Sequence, residues 1–285
     1  MLGNLPDDLD VKNLLPFQKL LPIDRYILHC LALHCKQVDV LYNQFLYNKV
    51  VQQTQFFVGS TLSSFYFDLV KDRLYCDMSY SIQRKSANTV MFHVLKNLQA
   101  SISPILPVLC REVTLHSNTL SNTKCSKSSL FYQYSFDNQW VDNKLQDEME
   151  FLIDIKEEIK KLVRHVSGVE EAISTKDLNK LDIFIIPLSS DSKDNLAKFR
   201  CDELREIFQV ATITICSSYS DFEKIDQNNV AEGSILGKEN RSVKVKIVDT
   251  KQKLCPRCRL YLSTSEESND TLCKRCENVL KIQLL

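Results

Sequence analysis

The sequence carries no excess charge of either sign, because 36 lysines and arginines balance 36 aspartates and glutamates over 285 residues. That balance argues against a histone-like basic coat and leaves room only for a local basic patch. The chain also lacks an apolar stretch of membrane-spanning length. Its most apolar run, Leu181 to Leu188, is the size of a strand and contains Asp182 and Pro187. A basic leader is missing too, since MLGNLPDDLD places acids where a signal or transit peptide would carry bases. The sequence is therefore expected to open directly on domain-like residues. It shows no internal repeat.

What remains suits a folded chain: 44% hydrophobic and 25% charged residues, enough for two domains or one domain with an appendage. Eleven cysteines are an odd number in a chain too long for a small disulfide scaffold. Cys30, Cys35, Cys76, Cys110, Cys125, Cys201 and Cys216 are scattered, several within apolar patterns, where a free thiol behaves as a small hydrophobe. The other four form two Cys-x-x-Cys pairs. This division points to a reducing intracellular compartment and to no disulfide partner.

Helical spacing dominates the first hundred residues. Ile23-Asp24-Arg25-Tyr26 starts one helix, continued by Ile27, Cys30, Leu31 and His34. A second pattern runs from about Asn43 to Tyr75, with Gly59 as the expected bend or break. A third runs from about Arg84 to Ser101, with Val90, Val94, Leu95 and Leu98 on one face, before Pro104 and Pro107 stop or restart the helix. Consecutive helices with short joints predict an up-and-down bundle over residues 1–116. Ser, Asn, Thr and Lys then fill a linker at 117–138.

Residues 139–250 change character. Leu145, Met149, Leu152, Ile155, Ile159, Leu162 and Val166 mark the inner face of an amphipathic helix, with Lys156, Glu157, Lys160 and Lys161 outward. Asp182–Pro187 and Thr212–Cys216 read as strands around a helix at Cys201–Phe208, and Val243–Val248 alternates as a strand with one wet face. The expected fold class is mainly α: a helical bundle, a small α+β unit and a terminal module at 251–285.

That module holds the sharpest chemical signal. Cys255-Pro-Arg-Cys258 is followed, fourteen residues on, by Cys273-Lys-Arg-Cys276. Each Cys-x-x-Cys turn places two sulfurs on one side of an ion, and two turns complete a tetrahedral Zn2+ sphere. Four thiolates leave no open coordination position, so the site is structural, and metal binding supplies much of the folding free energy of so short a tail. A redox reading would need a thioredoxin-like βαβ pattern, which the tail lacks. Between Lys238 and Lys281 eleven basic residues face six acidic ones. Arg257, Arg259, Lys274 and Arg275 lie in or beside the knuckles, where they either meet phosphate or offset the charge of a zinc tetrathiolate.

In the body, FYFDLVKDRLY at Phe65–Tyr75 packs aromatics and leucines inward and crowds Asp68, Lys71, Asp72 and Arg73 at one end. This segment, followed by RKSANTVMFHVLKNLQASISPILPVLCREV, closely resembles the anticodon-binding helical domain of isoleucyl-tRNA synthetases. LGNLPDDLD and LPIDRYIL resemble that family's entry into the domain. Trp140, the Ile155–Lys160 helix and Glu203–Ala211 follow the order of its C-terminal junction domain. The four-cysteine knuckle resembles the tail of its bacterial-type and organellar members. Ser103, Arg111 and Leu115 depart from the family pattern of Ala, an acid and Trp.

The resemblance implies a tRNA-binding part of an isoleucine–tRNA ligase, with tRNA-Ile as partner and Zn2+ as structural ion. It implies a bacterial cytoplasmic or a mitochondrial setting. Candidate RNA contacts are Lys71, Arg73, Arg84, Lys85, Arg257, Arg259 and Arg275. The adenylation motifs HIGH and KMSKS and the editing domain have no counterpart, and Met1 matches an interior family position. The chain is therefore expected to be inactive alone, as a fragment or as a half acting with a separately encoded catalytic half. A stand-alone zinc-containing RNA-binding module is the alternative. A DNA-repair glycosylase with a similar finger would need an N-terminal Pro followed by Glu, whereas the first proline here is Pro6, followed by Asp7. His29, His34 and His93 lie in amphipathic helices as packing residues, with no carboxylate pairing that suggests general acid–base work.

Overall fold

The computed structural model describes residues 5–6, 9, 11–117, 134, 136–167, 178–225, 231–236, 241–263 and 272–283. They fall into two compact units, Met1–Gln146 and Asp147–Leu285. The expected linker at 117–138, with Cys125, lies mostly outside the described residues, as do most of MLGNLPDDLD, the position of Lys238 and the acids Glu266, Glu267 and Asp270.

The first unit is helical. Helix α1 (Pro22–Asn43) begins on Pro22, whose fixed φ suits a first helical position. It buries Ile23, Ile27, Leu31, Val38 and Leu41 along one stripe. Helix α2 (Tyr47–Phe56) passes into a π-helical segment, Phe57–Phe67, and then into α3 (Asp68–Cys76). The break expected at Gly59 does not occur. The chain stays helical with wider turns, and its buried residues Phe57, Leu62 and Tyr66 step by five and four instead of three and four. A side chain at Gly59 would meet nothing within 4 Å, so packing does not require glycine there.

Helix α4 (Ile82–Ile102) is the axis of the unit. It is capped by Ser81 Oγ, which accepts from the Arg84 N–H at 3.2 Å. From Ser86 to Ser101 every residue except His93 and Lys96 is buried, as α1, α2, α3 and α5 (Pro107–Leu115) all pack against it. Some of its buried polar groups find partners across the unit. Gln99 donates to the Cys110 carbonyl at 3.1 Å, and the Ser101 carbonyl accepts from Tyr42 at 2.8 Å.

Described residues between 134 and 146 also pack on this unit. Tyr134 lies against the Val38, Leu41 and Val50 cluster, and the buried Trp140 meets the His93 ring edge-on at 4.9 Å. The Asp142 N–H donates to His29 Nδ1 at 2.9 Å, so the ring proton sits on Nε2 and donates to Gln146 Oε1 at 3.0 Å.

The second unit begins early in helix α6 (Asn143–Ser167), whose Met149, Leu152, Ile155 and Ile159 are buried as the pattern requires. Lys156, read as outward, is instead buried and donates to Gln209 Oε1 at 2.6 Å. A four-stranded sheet has the order β2-β1-β4-β3, with β1 (Leu181–Pro187), β2 (Thr212–Ile215), β3 (Ala231–Leu236) and β4 (Ser242–Asp249). β1 and β2 are parallel, joined through α7 (Ser190–Leu196) and α8 (Cys201–Phe208), whereas β4 runs antiparallel to β1 and β3. β3, the strand sequence pattern did not show, pairs Gly233 with Val245 and lies under Leu162 of α6, whose side chain would have to shift for a Cβ at Gly233. A short helix α9 (Tyr219–Glu223) precedes β3. Hairpin strands β5 (Lys253–Leu254) and β6 (Tyr261–Ser263), with helix α10 (Lys274–Gln283), form the tail. The fold is mainly α, as expected. Among the described residues no helix is long and apolar enough to cross a membrane.

Candidate nucleic-acid interface and metal centre

The motif at Phe65–Tyr75 is organised around a residue on another helix. Asp24 of α1 is fully buried and accepts from Tyr66 at 2.6 Å, from Arg73 Nη1 at 2.9 Å and from Ser86 Oγ at 2.5 Å. Ser86 in turn accepts from the Leu21 N–H at 3.2 Å. One carboxylate thus ties together α1, the π-helical segment, α3 and α4, with its negative charge matched by one guanidinium. Periodicity alone did not reveal this node. Its one visible signal is an acid at Asp24 between the buried Ile23 and Ile27 of a mostly apolar helix face.

The candidate contacts divide accordingly. Arg73 is only 4% exposed and is committed to Asp24, so its role in the fold is internal and the expectation that it reaches RNA is not supported by its position. Lys71 is exposed and pairs with Asp68 at 2.6 Å, a helical-spacing bridge that water and salt weaken readily. Arg84 is half-buried and donates to the Asp77 carbonyl at 3.2 Å, while Lys85 beside it is exposed.

In the tail, Cys255, Cys258, Cys273 and Cys276 are all buried, and their sulfurs lie within 4.8 Å of one another. The Cys258 and Cys273 sulfurs are 3.9 Å apart. Zn–S bonds of about 2.3 Å in a tetrahedron need sulfur separations of about 3.8 Å, so the four thiols fit such an ion after small adjustments. Backbone geometry forms the cup. Cys255 N–H donates to the Leu260 carbonyl and Arg259 N–H to the Cys255 carbonyl, each at 2.9 Å, and Arg259 adopts φ 60° to close the turn. Burial works against a Cys255 thiolate. Backbone N–H groups of Cys273, Cys258 and Arg257, with the Cys258 thiol, outweigh it and bring Cys255 down to about 6. Burial and the neighbouring Cys273 and Cys276 instead push Cys258 up. Such a cluster is costly to ionise without a cation, which is the property of a metal site.

Arg257 Nη1 donates to Cys276 Sγ at 3.4 Å, which is the charge-offsetting role. Arg259 is exposed and Arg275 half-buried beside Cys276. The structure therefore gathers the cysteines into one centre but keeps Lys71, Arg84 and Lys85 in the first unit and the three tail arginines in the second.

Comparison with known proteins bears on these arrangements. A family model described as the anticodon-binding domain of tRNA ligase matches residues 24–179, more than half of the chain and the whole segment that carries Asp24, Tyr66 and Arg73. The chain belongs to this family. It is similar to the isoleucine–tRNA ligase of Thermotoga maritima, 30% identical over 283 residues, and to that of Aquifex aeolicus, 30% identical over 280. It is also similar to the mitochondrial isoleucine–tRNA ligase of Macaca fascicularis, 28% identical over 291 aligned positions. Each alignment takes in 98–99% of this chain but only 27–28% of the relative. The chain thus spans little more than a quarter of the length of the curated relatives it matches.

Proposed function

We propose that this chain is the tRNA-binding C-terminal part of an isoleucine–tRNA ligase, with tRNA-Ile as its partner. The observation that carries the reading is its alignment with isoleucine–tRNA ligases along nearly all of its length, tail included, over a family match to an anticodon-binding domain. The first unit holds the anticodon arm on a scaffold fixed by Asp24, Tyr66, Arg73 and Ser86. Lys71, Arg84 and Lys85 offer it cations, and Arg259 and Arg275 offer them in the tail, where Arg257 is held on Cys276. Phosphate contacts of this kind position an RNA, and bases exposed in its loop specify it. Zn2+ is the ion proposed for Cys255, Cys258, Cys273 and Cys276. When bound it supplies a closed structural crosslink, and the cysteines serve only as its ligands.

The compartment proposed is the cytoplasm of a bacterium or a mitochondrion. ATP-dependent charging of tRNA-Ile belongs to the remaining length of the family enzymes, or to a separately encoded catalytic half with which this chain would act.

The test is equilibrium binding of transcripts of tRNA-Ile and of a non-cognate tRNA over a range of salt concentrations. The reading expects tighter binding of tRNA-Ile, weakening as salt rises, with the salt slope reduced by about 1 for each phosphate-contacting cation removed, as in Lys85→Ala. Equal, salt-insensitive binding of both tRNAs would refute it.

A further inference from the structure

The turn between α1 and α2 holds a feature that packing does not explain. The Leu46 N–H donates back to the Leu41 carbonyl and the Phe45 N–H to the Tyr42 carbonyl, both at 2.9 Å. This is a Schellman closure of α1, with Leu46 packed on the Val38, Leu41 and Val50 cluster as its hydrophobic contact. The closing residue must take a left-handed conformation, and that position is usually glycine. Here it is Phe45, at φ 57°, a residue 75% exposed. The fold thus tolerates a strained backbone in order to hold a large apolar ring out in water. The turn needs the left-handed conformation but not a phenylalanine in it, and an exposed aromatic kept at that cost points to a ligand.

The ring is also part of a series. Phe45 meets Tyr47, the first residue of α2, at 6.5 Å between centroids, and Tyr47 meets Tyr42 at 6.0 Å. Tyr42 is anchored through its hydroxyl to the Ser101 carbonyl of α4, so the series is rooted in the core helix. Tyr47 is itself half exposed. Asn43, Gln44, Asn48 and Lys49, which flank the two aromatics in the sequence, are exposed as well. Aromatic faces offer stacking to any unpaired base, amides can read base edges, and a lysine can meet the backbone phosphate. An apolar protein partner would leave these amides and the ammonium to be desolvated without matching groups.

We infer that Phe45 and Tyr47 form a stacking corner for an unpaired base of the tRNA anticodon loop. The inference rests on the tRNA-binding reading and deepens it, since the corner lies within the matched anticodon-binding residues. The corner is a second contact surface, separate in the sequence from Lys71, Arg84 and Lys85.

The test uses the full chain and two RNAs, intact tRNA-Ile and its anticodon stem-loop with 2-aminopurine in the loop. Phe45→Gly relieves the left-handed strain, so its melting temperature should rise while its affinity for the stem-loop falls about tenfold or more and 2-aminopurine quenching is lost. Tyr47→Ala should weaken binding in the same direction, and Phe45→Tyr should retain it. Wild-type binding with full affinity in Phe45→Gly would overturn the stacking corner and leave the tRNA-binding reading intact. A wild-type chain that binds neither RNA would overturn both.

Discussion

At the scale of single residues, the Asp24 node sets the largest expected energies. A buried carboxylate that accepts from a guanidinium, a phenol and a hydroxyl leaves uncompensated groups when any one of them is removed. Asp24→Ala strands Arg73 in the core and is expected to cost about 3–5 kcal/mol, whereas Tyr66→Phe removes one hydroxyl and is expected to cost about 1–3 kcal/mol. Urea unfolding midpoints rank the two, and equal losses would show that the carboxylate is not the centre of the network.

His34 and His93 add a pH dependence. Burial, against Phe57 for His34, lowers His34 from 6.5 to about 4, and burial followed by the charge of Lys96 does the same for His93. Both are bases kept neutral in the native state. Their stabilising contribution is therefore complete above the unfolded value and is lost as pH falls from 6.5 toward 4, because only the unfolded chain gains protons there. Each histidine accounts for a decline on the order of 3 kcal/mol. His34→Phe should halve the drop in urea midpoint between pH 7.5 and pH 4.5, and an undiminished drop would assign it to other groups. The sequence showed which faces of these helices turn inward. It could not show that Asp24 and Arg73, 49 positions apart, are partners, nor that Lys156 is buried, because helical period reports a direction and not what waits there.

Among elements, those with strong local signals were legible. Helix α6, β1, α8 and β4 all lie within a residue or two of where period and composition place them. β3 was not, because Ala-Glu-Gly-Ser-Ile-Leu has little strand propensity of its own and exists through pairing with β4 and cover from Leu162. That contact is testable. A Cβ at Gly233 would come within 2.7 Å of both Leu162 methyls, so Gly233→Ala is expected to cost about 1–3 kcal/mol. Leu162→Ala opens the same space, so the double variant should lose clearly less than the sum of the two single losses. Strict additivity in a double-mutant cycle would rule out the contact.

The tail was legible for a different reason: the spacing of four cysteines fixes a ligand set with no need of a long-range partner. Chelation should make residues after Thr250 susceptible to proteolysis while β1–β4 stay resistant. Co2+ loaded in place of the proposed Zn2+ should give thiolate charge-transfer absorption that is weakened in Cys276→Ser. A tail equally resistant with and without chelator would remove metal from the account.

For the whole molecule, the sequence shows a helical part followed by a mixed part, with a Ser-, Asn-, Thr- and Lys-rich stretch at 117–138, and the compact units divide at Gln146. Composition does not show which later residues pack on the helices before them. Tyr134, Trp140, Asp142 and Gln146 do so, on the Val38–Val50 cluster, His93 and His29. Trp140, Asp142 and Gln146 thus act in effect as an intramolecular ligand of the bundle, to which the covalent chain gives a high effective concentration. Cutting the chain tests this. With a protease site inserted after Ser121, the cleaved protein should migrate as one species under native conditions and as two in denaturant. Trp140→Ala combined with His29→Ala should let the pieces part. The covalent linker would then be dispensable for keeping the two pieces of the chain together, and docking alone would do that work.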